Sequence, residues 1–293
     1  MHVLVTGATG FVGGRLVPAL RSAGHDVTAL VRDESRYDPP AGVAVVEADL
    51  LDLESLTGVF DGVDAVYYLV HSMHAGADFA ERDRVAARHF VTATRDTGVE
   101  RVVYLGGLGE TGTDLSTHLQ SRREVEHVLG EGDYDLTTLR AAIIVGAGSA
   151  SFEMVTQLAR RLPLMTTPRW VRTECQPIAI DDVVTYLVGV LDVPETAGGT
   201  YEIGGPDVIT YQEMLRRTGE LMGVHPYIVP VPVLSPSLSA YWVDLVTDVP
   251  RDVAHPLILG LKTPVVVEDD RIRDLVPVEL TPFEDAVERA LAE

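Results

Sequence analysis

Eight residues near the start of the chain, Thr6-Gly7-Ala8-Thr9-Gly10-Phe11-Val12-Gly13, have the composition and spacing of an anion cradle. An apolar stretch at residues 2–6 precedes them. Residues 11–23 follow with helical spacing that puts Val12, Leu16 and Leu20 on one face. In that setting Gly7 permits a tight turn, Gly10 lets the backbone approach a pyrophosphate, and Gly13 lets helix and strand pack closely. The helix start then offers unpaired N–H groups and the positive end of its dipole to the phosphates. A glycine spacing alone is weak evidence; strand, glycines and helix in register are much stronger.

The end of the second apolar stretch, residues 26–32, indicates which dinucleotide is held. An acidic residue there would take the ribose 2′-hydroxyl. Here Arg32 offers a planar fork suited to a 2′-phosphate, with Arg15 and Arg36 able to assist and Asp33 and Glu34 arguing the other way. The expected cofactor is NADP, with NAD the alternative. Asp49-Leu50, after the third stretch, should sit beside the adenine, and Val70-His71, after the fourth, at the cofactor edge.

A second constellation could move a proton. His118 and Arg122 are four apart, so a helix would project them from one face. An imidazole can give or take a proton near neutrality, whereas a guanidinium keeps its own and can only donate hydrogen bonds. The neighbouring cation would favour neutral imidazole. The plainer alternative makes His118 an ordinary first-turn residue behind Ser116-Thr117, both good N-caps. His71 and His74 are further proton carriers; Tyr67, Tyr68 and Tyr104 read as strand core. His71 and His74 have no third ligand at a metal-binding spacing, so no metal site is expected.

The elements that must position these groups alternate. Strands are expected at residues 2–6, 26–32, 43–48, 64–70, 101–105 and 136–145, with helices at 11–23, 79–97 and 121–129. Repeated βα units imply a doubly wound parallel sheet. Ligands bind such a sheet at the carboxyl ends of its strands. Further helices are expected at 152–162, 183–191 and 211–222, and strands at 176–180 and 200–203. The division expected is a nucleotide-binding domain at 1–205 and a small α+β cap at 206–293.

Composition narrows the function. The formal charge is −21, from 44 acidic and 23 basic residues, of which Lys262 is the one lysine. Such a surface repels nucleic acid and anionic lipid. It suits a salt-rich, reducing cytoplasm, and the single Cys175 excludes an internal disulfide. No signal peptide and no membrane span are expected. Residues 221–243 contain no Asp, Glu, Lys or Arg, and Pro226, Pro230, Pro232 and Pro236 interrupt them. This stretch, with Tyr241-Trp242, offers either an apolar substrate wall or a core or dimer interface, and Arg169, Trp170 and Arg172 could hold a head group. His255 and Lys262 belong to the same region.

The loop resembles that of the short-chain dehydrogenase/reductase superfamily in its extended and atypical branches. Leu69-Val70-His71-Ser72, Leu139-Arg140-Ala141-Ala142-Ile143-Ile144-Val145-Gly146, Gln176-Pro177-Ile178-Ala179-Ile180-Asp181-Asp182-Val183 and Thr200-Tyr201-Glu202-Ile203-Gly204-Gly205-Pro206 are similar to later segments of that family. Gly106-Gly107-Leu108-Gly109 and Pro168-Arg169-Trp170-Val171-Arg172 look closest to the subgroup of NmrA-like proteins and proteins similar to an accessory subunit of respiratory complex I. The resemblance implies a substrate-holding serine, a proton-transferring tyrosine, and a lysine four residues later that holds the nicotinamide ribose. This chain has Gly107-Leu108 at the serine position and His118 and Arg122 at the other two. Three readings follow. One is an NADPH-dependent reductase of a small apolar carbonyl or quinone-like compound. The others are an NADPH-binding sensor or accessory subunit, and a sugar-nucleotide epimerase. The partners expected are a small apolar molecule and either a second copy in a homodimer or a larger complex.

Overall fold

A computed structural model of the chain describes residues 1–72, 78–109, 117–162, 164–231, 248 and 263–293. His74, Ser116, Pro232, Pro236, Tyr241, Trp242, His255 and Lys262 lie outside the described residues, as do the side chains of His118, Arg169, Trp170 and Pro230.

The chain opens with β1 (His2–Thr6), α1 (Gly13–Ser22), β2 (Asp26–Val31), β3 (Ala44–Glu47) and β4 (Ala65–Tyr68). It continues through α2 (Phe79–Ala93), β5 (Arg101–Gly107), α3 (Thr117–Leu129) and β6 (Asp135–Ala141). Then come β7 (Ile144–Val145), α4 (Ala150–Arg161), β8 (Leu164–Pro168), β9 (Glu174–Cys175), β10 (Ile178–Ala179), α5 (Ile180–Asp192) and β11 (Thr200–Ile203). The last described elements are β12 (Ile209–Thr210), α6 (Tyr211–Leu221), β13 (Tyr227–Val231), α7 (Ile272–Leu275) and α8 (Phe283–Ala292).

Seven strands form one sheet in the order β11-β6-β5-β4-β1-β2-β3, every neighbouring pair parallel. The strand order reverses between β1 and β4, which places the crevice for a ligand at their carboxyl ends. The pleat sends alternate residues of β1 to opposite faces: Val3 and Val5 pack with α1 and α5, Leu4 with α2 and α3. Phe60, Tyr68, Tyr104 and Phe90 fill the second face with edge-on and tilted rings. Each such ring contributes about 2–3 kcal/mol by burial alone.

The parallel sheet meets the expectation, and its differences in detail have local causes. Residues 136–145 are not one strand. β6 ends at Ala141, and β7 leaves the sheet to pair with β10. No Gly or Pro stands within residues 136–145 to mark such a break. Of the strand expected at 176–180 only Ile178–Ala179 forms, because Pro177 has no N–H to extend a ladder and Ile180 opens α5. β8 and β13 pair in parallel and were hidden by Pro168 and Pro230. The second unit draws strands from both sides of residue 205: β8 pairs with β13, and β9 with β12.

Candidate functional site

At the carboxyl end of β1 the buried Thr6 hydroxyl donates to the Tyr67 carbonyl and accepts from the Leu69 N–H, both at 3.1 Å. Thr6 therefore ties β1 to β4, and its side chain steadies the loop from behind. Gly7 follows with φ +69°, and a Cβ there would lie 3.0 Å from the Leu69 carbonyl oxygen. The Gly7 carbonyl accepts from the Gly10 N–H at 2.9 Å, and a Cβ on Gly13 would stand only 2.2 Å from that same carbonyl oxygen. Gly7 and Gly13 thus act as their spacing predicts. Helix α1 has no side-chain cap. The N–H groups of Phe11 and Val12 donate to nothing among the described residues, and Thr9 and Gly10 are exposed beside them. Uncapped N–H groups at a helix start attract an anion.

The expected assistance from Arg15 is not available. Its guanidinium lies over the Phe11 ring and donates to the carbonyls of Phe11 and Ala147 and to the Glu293 carboxylate. At the end of β2, Arg32 is exposed and forms no ion pair among the described residues. Asp33 is engaged instead: its carboxylate accepts from the Ser35 N–H and hydroxyl and caps the turn Glu34–Arg36. Asp49 is half-buried and accepts from the Leu51 N–H at 2.9 Å. The Leu50 side chain departs from expectation by pointing into the core with Leu56 and Phe60, so only its backbone remains for an adenine.

The opposite end of the site is made of side chains. Just past β4, the His71 Nδ1 lies 2.5 Å from the carboxylate of Asp83 on α2, and the Ser72 N–H donates to the other oxygen at 2.7 Å. The Asp83 side chain is 2% exposed and that of His71 13%. Burial by itself raises the Asp83 carboxyl. The bonds and charge from His71 and the bonds from Ser72 outweigh that burial and hold it below the usual carboxylate value. It is therefore ionised and can only accept, which places a hydrogen on His71 Nδ1. Asp83 was missing from the sequence reading. A signal was present: it shares the apolar stripe of α2 with Phe79, Ala86, Ala87 and Phe90.

Helix α3 begins at Thr117, one turn earlier than expected, so His118 and Arg122 do share a helix. The Arg122 guanidinium lies 5.7 Å from the Tyr104 ring centre, while the Tyr104 hydroxyl donates to the Arg122 carbonyl at 3.1 Å. Burial pushes the Tyr104 phenol up to about 12, with Arg122 offsetting part of it, so it stays neutral. Ser121, between His118 and Arg122, turns its hydroxyl toward Asp83 at 3.5 Å. Tyr67 is committed to the Leu187 carbonyl on the far face. Where the resemblance implies a serine, a Cβ on Gly107 would stand 2.9 Å from Leu119 Cδ2. Leu119 has filled the space. Cys175 is fully buried, and burial followed by the Glu213 charge pushes its thiol up to about 12, which leaves it inert. A surface hollow of about 540 Å³ beside α3, lined by Arg123, Glu126, Tyr134 and Arg140, shares no residue with the glycine loop.

The described residues contain no helix long and apolar enough to cross a membrane, and no group of three or more His, Cys, Asp or Glu placed to hold a metal. Comparison with known proteins agrees with the crevice at β1 and β4. A family model described as NAD(P)H-binding matches residues 7–160, just over half of the chain. Subunit 9 of the NADH dehydrogenase [ubiquinone] 1 alpha subcomplex from Arabidopsis thaliana mitochondria is 25% identical, over 95% of this chain and 75% of that protein. An isoflavone reductase homolog from Lupinus albus is 26% identical over 75% of each. Among solved structures, a nucleoside-diphosphate-sugar epimerase from Staphylococcus aureus superposes with a TM-score of 0.79. It is 18% identical and covers 98% of this chain and 100% of its own, a likeness of fold. The chain is a member of the NAD(P)H-binding family, of the atypical short-chain dehydrogenase/reductase and NmrA-like kind.

Proposed function

We propose that this chain is an oxidoreductase that holds NADPH in preference to NADH and reduces a small apolar carbonyl or quinone-like compound. The observation that carries this reading is the backbone cradle: uncapped N–H groups at Phe11 and Val12, held open by a Gly13 that has no room for a side chain. An exposed Arg32 beside an Asp33 turned into its own turn supports the 2′-phosphate. Bound there, the cofactor supplies the hydride, and the remaining tasks fall on the chain. Thr6 and Leu69 keep the loop against β4. Arg122 takes the ribose as the family's lysine would, and an imidazole at this end, His118 or His71, or a water, supplies the proton. The charge-free composition of residues 221–243 favours an apolar substrate over a charged one, and the remaining task of the chain is to orient it and exclude water. The isoflavone reductase homolog is a relative that is a reductase by name.

The test has two arms. Fluorescence titration of wild type and Arg32→Ala with NADPH and NADH should show about a tenfold loss for NADPH, about 1.4 kcal/mol, and none for NADH. Equal loss would remove the 2′-phosphate assignment. Incubation with NADPH across a panel of quinones and aldehydes should then consume the reductant; tight binding with no consumption would overturn the reductase reading. A second reading, a cofactor-binding accessory subunit that does no chemistry, is favoured by Leu119 standing where a substrate-holding serine would be. The likeness to the plant complex subunit over almost the whole chain favours it too.

A further inference from the structure

We propose that Arg15 is a positioning residue of the dinucleotide loop: its guanidinium, held by Glu293 beyond α8, fixes the Phe11–Val12 peptide that presents one of the cradle's free N–H groups. The proposal rests on the glycine loop being the cofactor's phosphate cradle and not on the reductase reading. It gives Arg15 a task other than the 2′-phosphate.

Four observations converge on this residue. The first is the bond itself. A guanidinium nitrogen of Arg15 donates to the Phe11 carbonyl at 3.2 Å. That carbonyl and the Val12 N–H belong to one planar trans peptide and point in opposite directions. A cation that holds the oxygen therefore sets the direction of the N–H, and by drawing density to the oxygen it makes the N–H a stronger donor. The Val12 N–H donates to nothing among the described residues. The second observation is the ring. The same guanidinium lies 4.8 Å from the centre of the Phe11 ring. The ring also meets the turn after β7: a Cβ on Gly146 would stand 3.0 Å from Phe11 Cζ, and one on Gly148 3.7 Å from Cδ2. Phe11 is thus gripped by backbone and side chain together.

The third observation is the anchors. The other terminal nitrogen of Arg15 donates to the Ala147 carbonyl at 3.0 Å and to the Glu293 carboxylate at 2.5 Å. These partners are 132 and 278 residues along the chain from it. One side chain therefore joins the start of α1, the turn after β7 and the end of α8. The fourth is the cost. Arg15 is the third residue of α1, whose first turn has no acidic residue, and a cation there opposes the helix dipole. Fold stability gains little in return. The Arg15 and Glu293 side chains are 29% and 49% exposed, and so open a pair holds a fold weakly. What the arrangement secures is the loop.

The parts of the cradle then divide their tasks. Gly7 and Gly13 clear the space, Thr6 ties the loop to β4, and Arg15 holds the peptide that opens α1. Helix α8 packs on α6 and on the β7–β10 pair, and its Arg289 faces Asp181 at the start of α5 at 3.4 Å. The second unit of the fold thus reaches the cradle through one carboxylate, and the grip on either dinucleotide depends on α8 being docked.

The test titrates wild type, Arg15→Met, Arg15→Lys, Glu293→Ala and the double variant Arg15→Met/Glu293→Ala with NADPH and with NADH, with melting followed in parallel. Arg15→Met keeps the stem and removes the donors. It is expected to weaken both dinucleotides about tenfold, the worth of one hydrogen bond, with melting close to wild type. Equal loss separates it from Arg32→Ala, which should spare NADH. Arg15→Lys keeps a charged donor and should bind within about threefold of wild type. In Glu293→Ala the guanidinium keeps both carbonyls, so a loss of about threefold is expected, and none further in the Arg15→Met background. Independently of the cofactor, amide NMR of the free protein should show the Val12 resonance moving in Arg15→Met while those of β3 stay. Should Arg15→Met unfold, Arg15→Lys and Glu293→Ala carry the test. Arg15→Met that binds both dinucleotides like wild type, that loses NADPH alone, or that leaves the Val12 amide unmoved would overturn the assignment. Tighter binding in Glu293→Ala would make the carboxylate a repelling charge and overturn its part as the holder. No binding of either dinucleotide by wild type would overturn the cradle reading instead.

Discussion

The cradle between Thr6 and Gly13 and the side-chain cluster around His71, Asp83 and Arg122 lie at neighbouring strand ends but are built differently. The cradle is backbone. Its ligand-facing groups are N–H groups that any residue carries, and what the side chains must do is stay out of the way, as Gly13 does with 2.2 Å to spare for nothing. The other end is made of side chains, each placed by its own contacts. Leu119 fills the space of the family's serine, and Arg122 stands in the place of its lysine. A buried histidine–carboxylate pair packs beside them. The difference teaches that a backbone loop is specified by the side chains its positions cannot carry, whereas a side-chain cluster is specified by which residues the fold brings together.

The largest expected effect breaks the cradle. Gly13→Val would drive a branched side chain into the Gly7 carbonyl, which is backbone and cannot yield. A loss of about 4 kcal/mol or more is expected, together with NADPH binding, read by denaturant unfolding and titration. A variant that folds and binds like wild type would show that the close approach is not needed. Next comes the pair. Asp83→Ala removes one partner of a buried bonded pair and should cost about 3 kcal/mol. Its pH dependence has a definite sign. The folded-state value of Asp83 is held below the ordinary one, so its contribution is present above an unfolded value of about 3.9. That contribution is lost as pH falls through the lower, folded value. Wild type should shed this increment on acid titration and Asp83→Asn should not; parallel acid transitions would mean the pair does not hold the fold. The smallest effect concerns the vacated serine position. Gly107→Ser meets only the end of Leu119, a flexible side chain, and should cost about 1 kcal/mol with no gain in kcat. Gly107→Ser with Leu119→Ala should recover that stability. A rise in kcat in the double variant would mean that the old serine chemistry is still available here.

The fold was legible where period and punctuation agree. Strand β1, the glycine loop and the βα alternation could be read directly, because short apolar runs followed by helical spacing leave few alternatives. The breaks inside residues 136–145 and 176–180 were legible only partly: Pro177 marks one, and nothing marks the other. The β8–β13 pair escaped because its prolines argue against strands. At the candidate site, Arg32, His71 and Arg122 were singled out by position relative to strands and helix starts, and the structure places them at the end of β2, just past β4 and on α3. Arg15 and Leu50 were misplaced, since each looks available in sequence and only the fold turns one to Glu293 and the other into the core.

What the sequence by itself determined is the form of the cradle: glycines between a strand and a helix impose its tight turn, because at Gly7 and Gly13 only a residue without a Cβ fits. It also determined the sheet class and the absence of a usable lysine. Only the tertiary structure decided the side-chain cluster beside it. His71 and Asp83 are twelve residues apart on different elements, and Ser121 lies 38 residues beyond Asp83. Their meeting depends on α2 and α3 packing side by side on one face of the sheet. No local spacing encodes that contact, because it is set by the burial of Phe90, Tyr104 and Leu129 in a common core.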